Sequence, residues 1–177
     1  MNPQHIMVHH TASLASGNPD QFIATNNYHK SKNFPISSLG YYVGYNYEIA
    51  KNGKVYKARE PGEVTAACPQ EGMNSGKCVH ISLDGNMDVE QPTPPQIYAL
   101  RDLIQDLVLK YAIKKENIVF HNMYANKSCP GSNLDIDFIR SLAGDSAISD
   151  PEISDKEDVK AEIQKALENL SALIKKL

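Results

Sequence analysis

Among the strand-like segments of this chain, only one pair lies close enough in sequence to fold back as a hairpin, so the others must be joined by longer crossovers. Tyr42 to Ile49 is rich in aromatic and β-branched residues, and its alternation puts Val43, Tyr45, Tyr47 and Ile49 on one face. Asn52-Gly53 follows, a strong signal for a two-residue turn, and Lys54 to Ala58 is the return strand. The other strand candidates stand apart: Ile6-Met7-Val8-His9, then Val79, Ile81 and Leu83 alternating with His80, Ser82 and Asp84, then Ile118-Val119-Phe120. Thr93-Pro94-Pro95-Gln96 opens the clearest helix, with Ile97, Leu100, Ile104, Leu107, Val108 and Tyr111 as its apolar stripe. Asn18-Pro19-Asp20-Gln21 reads as an earlier helix start, with a capping Asn, Pro at the first helical position and Gln three residues after the cap. That unit carries Phe22, Ile23 and Tyr28 and ends at Phe34-Pro35. One hairpin plus crossovers predicts an α/β (mixed α+β) fold: a central mixed β-sheet flanked by helices.

Composition narrows the classes. A length of 177 residues suits one domain with a short appendage. The 41% hydrophobic and 22% charged fractions are those of a soluble globular chain. Eighteen basic against 21 acidic residues, a net charge of −3, gives no footprint for nucleic acid or an anionic membrane. No apolar run approaches the ~18 residues of a membrane span, so no stable membrane insertion is expected. Met1-Asn2-Pro3-Gln4-His5 has neither a basic n-region nor an apolar h-region, so the expectation is a cytoplasmic start, unless a leader has been removed.

Composition changes near Gly144. Residues 1–143 read as the folded domain, 144–154 as a linker and 155–177 as a C-terminal amphipathic helix opened by the capping box Ser154-Asp155-Lys156-Glu157. Val159, Ile163, Ala166, Leu170, Leu173 and Leu177 recur with a period of 3.5, the seam of a coiled coil. That seam is expected to be buried in a homo-oligomer or in a groove of its own domain. Five acidic and five basic residues in 155–177 argue against a membrane-surface helix.

The chemistry concentrates in His121-Asn-Met-Tyr-Ala-Asn-Lys127-Ser-Cys129-Pro130-Gly131. A strand-end His and a Cys eight positions later suit a loop folded around one ion, because imidazole and thiolate are both good zinc ligands. The cysteine count is three, so at most one pair bonds, and a pairing of Cys68 with Cys78 stays open. A catalytic zinc takes three protein ligands and keeps a fourth position for water. His9 and His10 are the candidates for the third ligand; they point to opposite faces of a strand, and the pleat alone does not choose between them.

Taken in order, Val8-His9-His10-Thr11-Ala12, Val43-Gly44-Tyr45, Asn52-Gly53-Lys54-Val55-Tyr56 and His121…Lys127-Ser-Cys129-Pro130-Gly131 resemble the zinc-dependent N-acetylmuramoyl-L-alanine amidase family. That family includes phage endolysins, muropeptide-recycling amidases and peptidoglycan recognition proteins. The resemblance covers roughly residues 5–135. It implies an amidase-like fold, Zn2+ held by His9, His121 and Cys129, and catalytic roles for Tyr45 and Lys127. It implies hydrolysis of the amide between N-acetylmuramic acid and L-alanine, with peptidoglycan or a muropeptide as the partner. His29 matches a family histidine in a supporting position, and His5, His10 and His80 are read as ordinary neighbours.

Departures from the family pattern fall at Asn46, where many relatives have His, and at Ala66 to Asn74, which lacks a His-Ala element. Recycling amidases carry a Glu near Ser82, where Asp84 is the nearest carboxylate in this sequence. Lys127 and the compact size favour a phage-type endolysin, made in the cytoplasm of the producing cell and acting on the wall after release. A recycling amidase and a noncatalytic binding module are the alternatives. In such binding modules the metal Cys is typically lost, so Cys129 favours the enzyme.

Overall fold

The structure is a computed structural model that describes residues 2–13 and 18–144. Apart from Gly144, the expected linker and helical tail lie outside the described residues. The strands are β1 (His5–His10), β2 (Tyr47–Ile49), β3 (Val55–Lys57), β4 (Cys78–Leu83) and β5 (Ile118–Phe120), and the α-helices are α1 (Phe22–Ser31), α2 (Pro94–Tyr111) and α3 (Ile136–Ser141). They form one five-stranded sheet in the order β3-β2-β4-β1-β5. Only the β2–β3 pair is antiparallel; β2–β4, β4–β1 and β1–β5 are parallel. The expected mixed sheet is therefore present, with its one hairpin at one edge.

The hairpin loop is longer than the Asn-Gly signal predicts. The backbone N–H of Ala50 donates to Lys54 (2.9 Å) and that of Gly53 to Ala50 (2.8 Å), which encloses a three-residue loop at 51–53. Asn52 turns its Oδ1 to the N–H of Lys54 (3.0 Å), and only Gly53 takes the left-handed conformation, φ 85°. A type I turn followed by a left-handed glycine is the next commonest hairpin after the two-residue forms. Regular pairing in β2 starts at Tyr47 rather than Tyr42. The predicted single face also divides: Val43 and Tyr45 pack with Phe22 and Tyr56, whereas Tyr47 and Ile49 pack toward α2. The division falls at Asn46, whose carbonyl accepts from the N–H groups of both Ala58 (2.8 Å) and Arg59 (3.2 Å), so two residues oppose one there.

The α1 start lies further on than Asn18-Pro19 suggests. Asn18 Oδ1 accepts from the N–H of Asp20 (3.1 Å) and Asp20 Oδ1 from that of Phe22 (3.3 Å), so two successive side-chain turns precede a helix that begins at Phe22. In α2 the expectation holds: Thr93 and Gln96 form a reciprocal capping box with Pro at the first turn.

Pleat alternation sorts the strands into two faces. Ile6 and Val8 of β1, Val79, Ile81 and Leu83 of β4, Ile49 of β2 and Ile118 and Phe120 of β5 face α2, where Leu100, Ile104, Leu107 and Val108 close the main core. Their neighbours point the other way. At one end of that second face Met7, Cys78 and Val119 join Cys68 and Met73 in a smaller apolar cluster. At the other end the residues are polar, yet both faces are covered and every residue of β4 is fully buried. Gln96 links helix to sheet: its Nε2 donates to the carbonyls of Ile49 (3.1 Å) and Asp84 (2.8 Å), and its Oε1 accepts from the N–H of Thr93 (3.1 Å). A Gln96→Leu variant strands the Asp84 carbonyl and the Thr93 N–H. It is expected to lose about 1–3 kcal/mol of stability, measured by urea unfolding.

Candidate active site

The polar end of the second face is built by register. Glu48 of β2 pairs with Ser82 of β4, and Ser82 pairs with His9 of β1. His121 follows directly after β5, whose Phe120 pairs with Val8. The pleat thus sets Glu48, Ser82, His9 and His121 in one row on the face away from α2.

His9, His121 and Cys129 each offer a ligand atom, and these atoms lie within 4.8 Å of one another. The rings of His9 and His121 are 4.7 Å apart, and His9 Nδ1 is 3.6 Å from Cys129 Sγ. Of the two adjacent histidines, His9 is the one that meets His121 and Cys129. His10 faces the other side, where its Nδ1 accepts from the N–H of Met87 (3.0 Å). The loop after His121 returns Cys129 to the strand ends, with the N–H of Asn122 donating to the Cys129 carbonyl (2.8 Å). All three cysteines are free, so the pairing of Cys68 with Cys78 that the sequence left open is not formed. Both are packed in the smaller apolar cluster, and the Cys68 thiol donates to Gln70 Oε1 (3.2 Å).

Burial sets the charge state of this group. It lowers the pKa of His9 well below its ordinary value, and neighbouring His80, His121 and His10 add to the effect. It likewise lowers that of His121. The Cys129 thiol is pushed up to about 11, chiefly by burial. Two neutral imidazoles and a thiol that yields its proton to a metal are a donor set suited to zinc.

Around this group opens a cleft of about 500 Å³, whose lining includes Tyr45, His121, Lys127 and Cys129. It adjoins a second hollow of about 380 Å³ that shares Tyr45, His29, Thr11 and Ala12 with it. The Tyr45 ring lies 5.2 Å from that of His9. Burial raises the pKa of its hydroxyl far above the usual range, so it stays a hydrogen-bond donor. Lys127 is exposed at the rim, and its charge acts on His9, His121 and Cys129. His29 supports Tyr45 from beneath: its Nδ1 accepts from the N–H of Gly44 (3.3 Å), and its ring stacks on Phe34 at 4.5 Å. A Cβ on Gly44 would come within 2.9 Å of the Phe34 ring, so glycine precedes Tyr45 for want of space. Of the five residues singled out in the sequence, Tyr45, His121, Lys127 and Cys129 line this cleft, and His9 is buried behind them with its ligand atom within 4.8 Å of those of His121 and Cys129.

Two buried residues beside them were not singled out for the site. His80, read as ordinary, is fully buried and bonds His9 Nε2 through its Nδ1 (2.9 Å). Only its place on the polar side of an alternating strand could have marked it. Glu48 was hidden among aromatic neighbours, yet it is 1% exposed and neither carboxyl oxygen has a well-formed hydrogen bond. Burial, with Asp84 and Asp20 adding to it against the Thr25 hydroxyl, raises its pKa from 4.5 to about 8. Asp84, the carboxylate expected near Ser82, is engaged elsewhere. It accepts from Ser13 Oγ (3.0 Å), Thr11 Oγ1 (3.3 Å) and the N–H of Gln21 (3.1 Å).

A mixed parallel sheet that gathers two imidazoles, a thiol, a phenol and an ammonium around one cleft defines a candidate zinc-hydrolase centre. Residues 1–132 match the family model described as N-acetylmuramoyl-L-alanine amidase, and the chain belongs to that family. Peptidoglycan-recognition protein SC2 of Drosophila melanogaster is 32% identical over 103 residues, 57% of this chain and 54% of that protein. The chain thus spans about half the length of that relative. Among solved structures, N-acetylmuramoyl-L-alanine amidase LysC from Clostridium intestinale is 28% identical with a TM-score of 0.66, covering 79% of this chain and 84% of that one. The Drosophila recognition protein SD shares the fold, with 24% identity, a TM-score of 0.61 and coverage of 75% and 76%. Among the described residues no helix is long and apolar enough to cross a membrane.

Glu48 gives this centre a pH signature. Below about pH 4.5 folded and unfolded chains both hold its proton. Between 4.5 and about 8 only the folded chain does, so stability falls as pH rises through that window and levels off above it. Glu48→Gln removes the slope. Its advantage over wild type should be near zero at pH 4.5 and grow by pH 8 to at least ~1 kcal/mol, roughly 2–4 °C in Tm, read by thermal unfolding across pH.

Proposed function

We propose that this chain is a zinc-dependent amidase that hydrolyses the bond between the lactyl group of N-acetylmuramic acid and L-alanine in peptidoglycan, as a phage-type endolysin. The observation that carries the reading is the convergence of His9, His121 and Cys129 within 4.8 Å beside a cleft that Tyr45 and Lys127 also line. A module that only binds glycan or peptide has no use for a thiol held against two imidazoles.

When bound, zinc supplies Lewis acidity, lowering the pKa of a water toward ~7 and polarising the scissile carbonyl. His9, His121 and Cys129 would hold it and leave one side open to the cleft. Lys127 brings a positive charge to the rim, where negative charge builds on the carbonyl oxygen as the amide becomes tetrahedral. Tyr45 keeps its proton and donates a hydrogen bond to the same region. His29 and Gly44 hold Tyr45 in place. Release from the producing cell would bring the enzyme to its wall substrate, and self-association through 155–177 is part of the same reading, checked by sedimentation of the full and truncated chains.

Purified peptidoglycan digested by the chain should gain new L-alanine N-termini, and a chelator should abolish this. Binding to sacculi without new end groups would point to a recognition module, and activity confined to soluble muropeptides to a recycling enzyme. Cys129→Ser replaces a thiolate by a neutral hydroxyl and should lose both zinc and hydrolysis. Tyr45→Phe and Lys127→Ala should retain zinc and fold but lose ~10²–10³ in kcat with little change in KM, measured by steady-state release of the peptide stem.

A further inference from the structure

His80 bonds the candidate ligand His9, yet the proposed mechanism gives it no task. It is fully buried, and both its ring nitrogens are engaged. Its Nε2 lies 3.1 Å from the carbonyl oxygen of Met73, and its Nδ1 lies 2.9 Å from His9 Nε2. A carbonyl oxygen only accepts, so the proton of a neutral His80 sits on Nε2. Its Nδ1 is then a bare lone pair, and the short contact to His9 requires the proton of that bond to come from His9 Nε2. The opposite arrangement would face two lone pairs across the Met73 contact. With its proton committed to Nε2, His9 has a bare Nδ1, and Nδ1 is the atom facing Cys129 Sγ at 3.6 Å.

We propose that His80 is a positioning residue: the relay from the Met73 carbonyl through His80 to His9 fixes the tautomer and orientation of His9, so that its Nδ1 lone pair is directed at a cation shared with His121 and Cys129. The proposal rests on the zinc reading above and adds a residue that no part of that reading requires.

The anchor of the relay is held as firmly as its end. Met73 is 2% exposed and lies in the 3-10 segment Gln70–Ser75. Its neighbour Asn74 pins that segment, accepting through Oδ1 from the N–H groups of Ala67 (3.0 Å) and Cys68 (2.7 Å) while its carbonyl accepts from the N–H of Thr65 (3.0 Å). The backbone of His80 is fixed too, with its N–H donating to Asn46 Oδ1 (2.8 Å) and its carbonyl accepting from the N–H of Asn46 (3.0 Å). A ring fixed at its backbone and at both nitrogens has one orientation to pass on. Outer partners of metal-ligating histidines typically contribute 10- to 100-fold to metal affinity.

The test uses the full chain. In 15N-labelled, zinc-free protein near pH 7, two-bond proton–nitrogen correlation spectra of the imidazoles should show His9 and His80 both carrying hydrogen on Nε2. A His9 with its hydrogen on Nδ1 overturns the proposal. Zinc affinity is then measured by competition with a chromophoric chelator. His80→Leu, which keeps bulk but accepts no hydrogen bond, should bind zinc ~10- to 100-fold more weakly. His80→Asn, whose Oδ1 takes the place of Nδ1, should recover most of the affinity even where its Tm falls as far as that of His80→Leu. Equal zinc affinity in wild type and His80→Leu overturns the proposal, as does a loss in both variants that follows Tm alone. If His80→Leu does not fold, the wild-type tautomers and the affinity of His80→Asn decide. A wild type with the expected tautomers but no zinc uptake sinks the zinc reading and leaves the hydrogen-bond relay standing.

Discussion

The two-residue pleat of β1 and β4 is the constraint on which the rest depends. Both strands are covered on both faces, so each must divide its side chains between an apolar core and a polar site without waste. Ile6, Val8, Val79, Ile81 and Leu83 go to α2. Met7, His9, Cys78, His80 and Ser82 go to the other side. Pairing His9 with Ser82 and His10 with Leu83 leaves no freedom, because a slip of one residue would carry His9 into the core and His10 into the site. The choice between adjacent histidines is thus made by core packing, and burial of several Leu and Ile side chains, each worth about 1.5–3 kcal/mol, enforces it.

Covering the second face has an electrostatic consequence. Charged forms are disfavoured there, so the imidazoles of His9, His80 and His121 are held neutral and the Cys129 thiol keeps its proton to about 11. Neutral imidazoles present lone pairs instead of positive charge, which is what a cation requires. Lys127, a cation of the cleft lining, stands at the exposed rim, where an ammonium keeps its hydration. Ligand chemistry is thereby separated from charge chemistry by depth.

Much of this was legible in the sequence, and the limits have physical causes. The strand ends bearing His9 and His121, the capping box of α2 and the ordered motifs around Tyr45 and Cys129 were readable because each is local. The Asn18-Pro19 helix start misled, because short polar side chains cap turns as readily as helices and Asp20 supplies the turn nearest the helix. The hairpin was right in place but wrong in loop length, because the Asn52 side chain satisfies the loop itself. Glu48 escaped notice because its meaning depends on a partner 34 residues away, Ser82, that only the register brings beside it. His80 escaped for a similar reason, since the partners of its two ring nitrogens come from the strand beyond and the loop before.

Asn46 and the Ala66–Asn74 loop meet at His80. Asn46 is fully buried, with its Nδ2 donating to the carbonyl of Glu60 (2.9 Å) and its backbone carbonyl accepting from the N–H groups of Ala58 and Arg59. Its remaining groups, the backbone N–H and Oδ1, both bind the backbone of His80. An amide suits that place better than an imidazole, because it donates and accepts at once without a tautomer to choose. The Ala66–Asn74 loop brings the Met73 carbonyl to the other side of the same residue. Asn46 and Met73 therefore close around the histidine behind His9, while Ala66 and Ala67 of the same loop reach the cleft in front beside Tyr45 and Cys129.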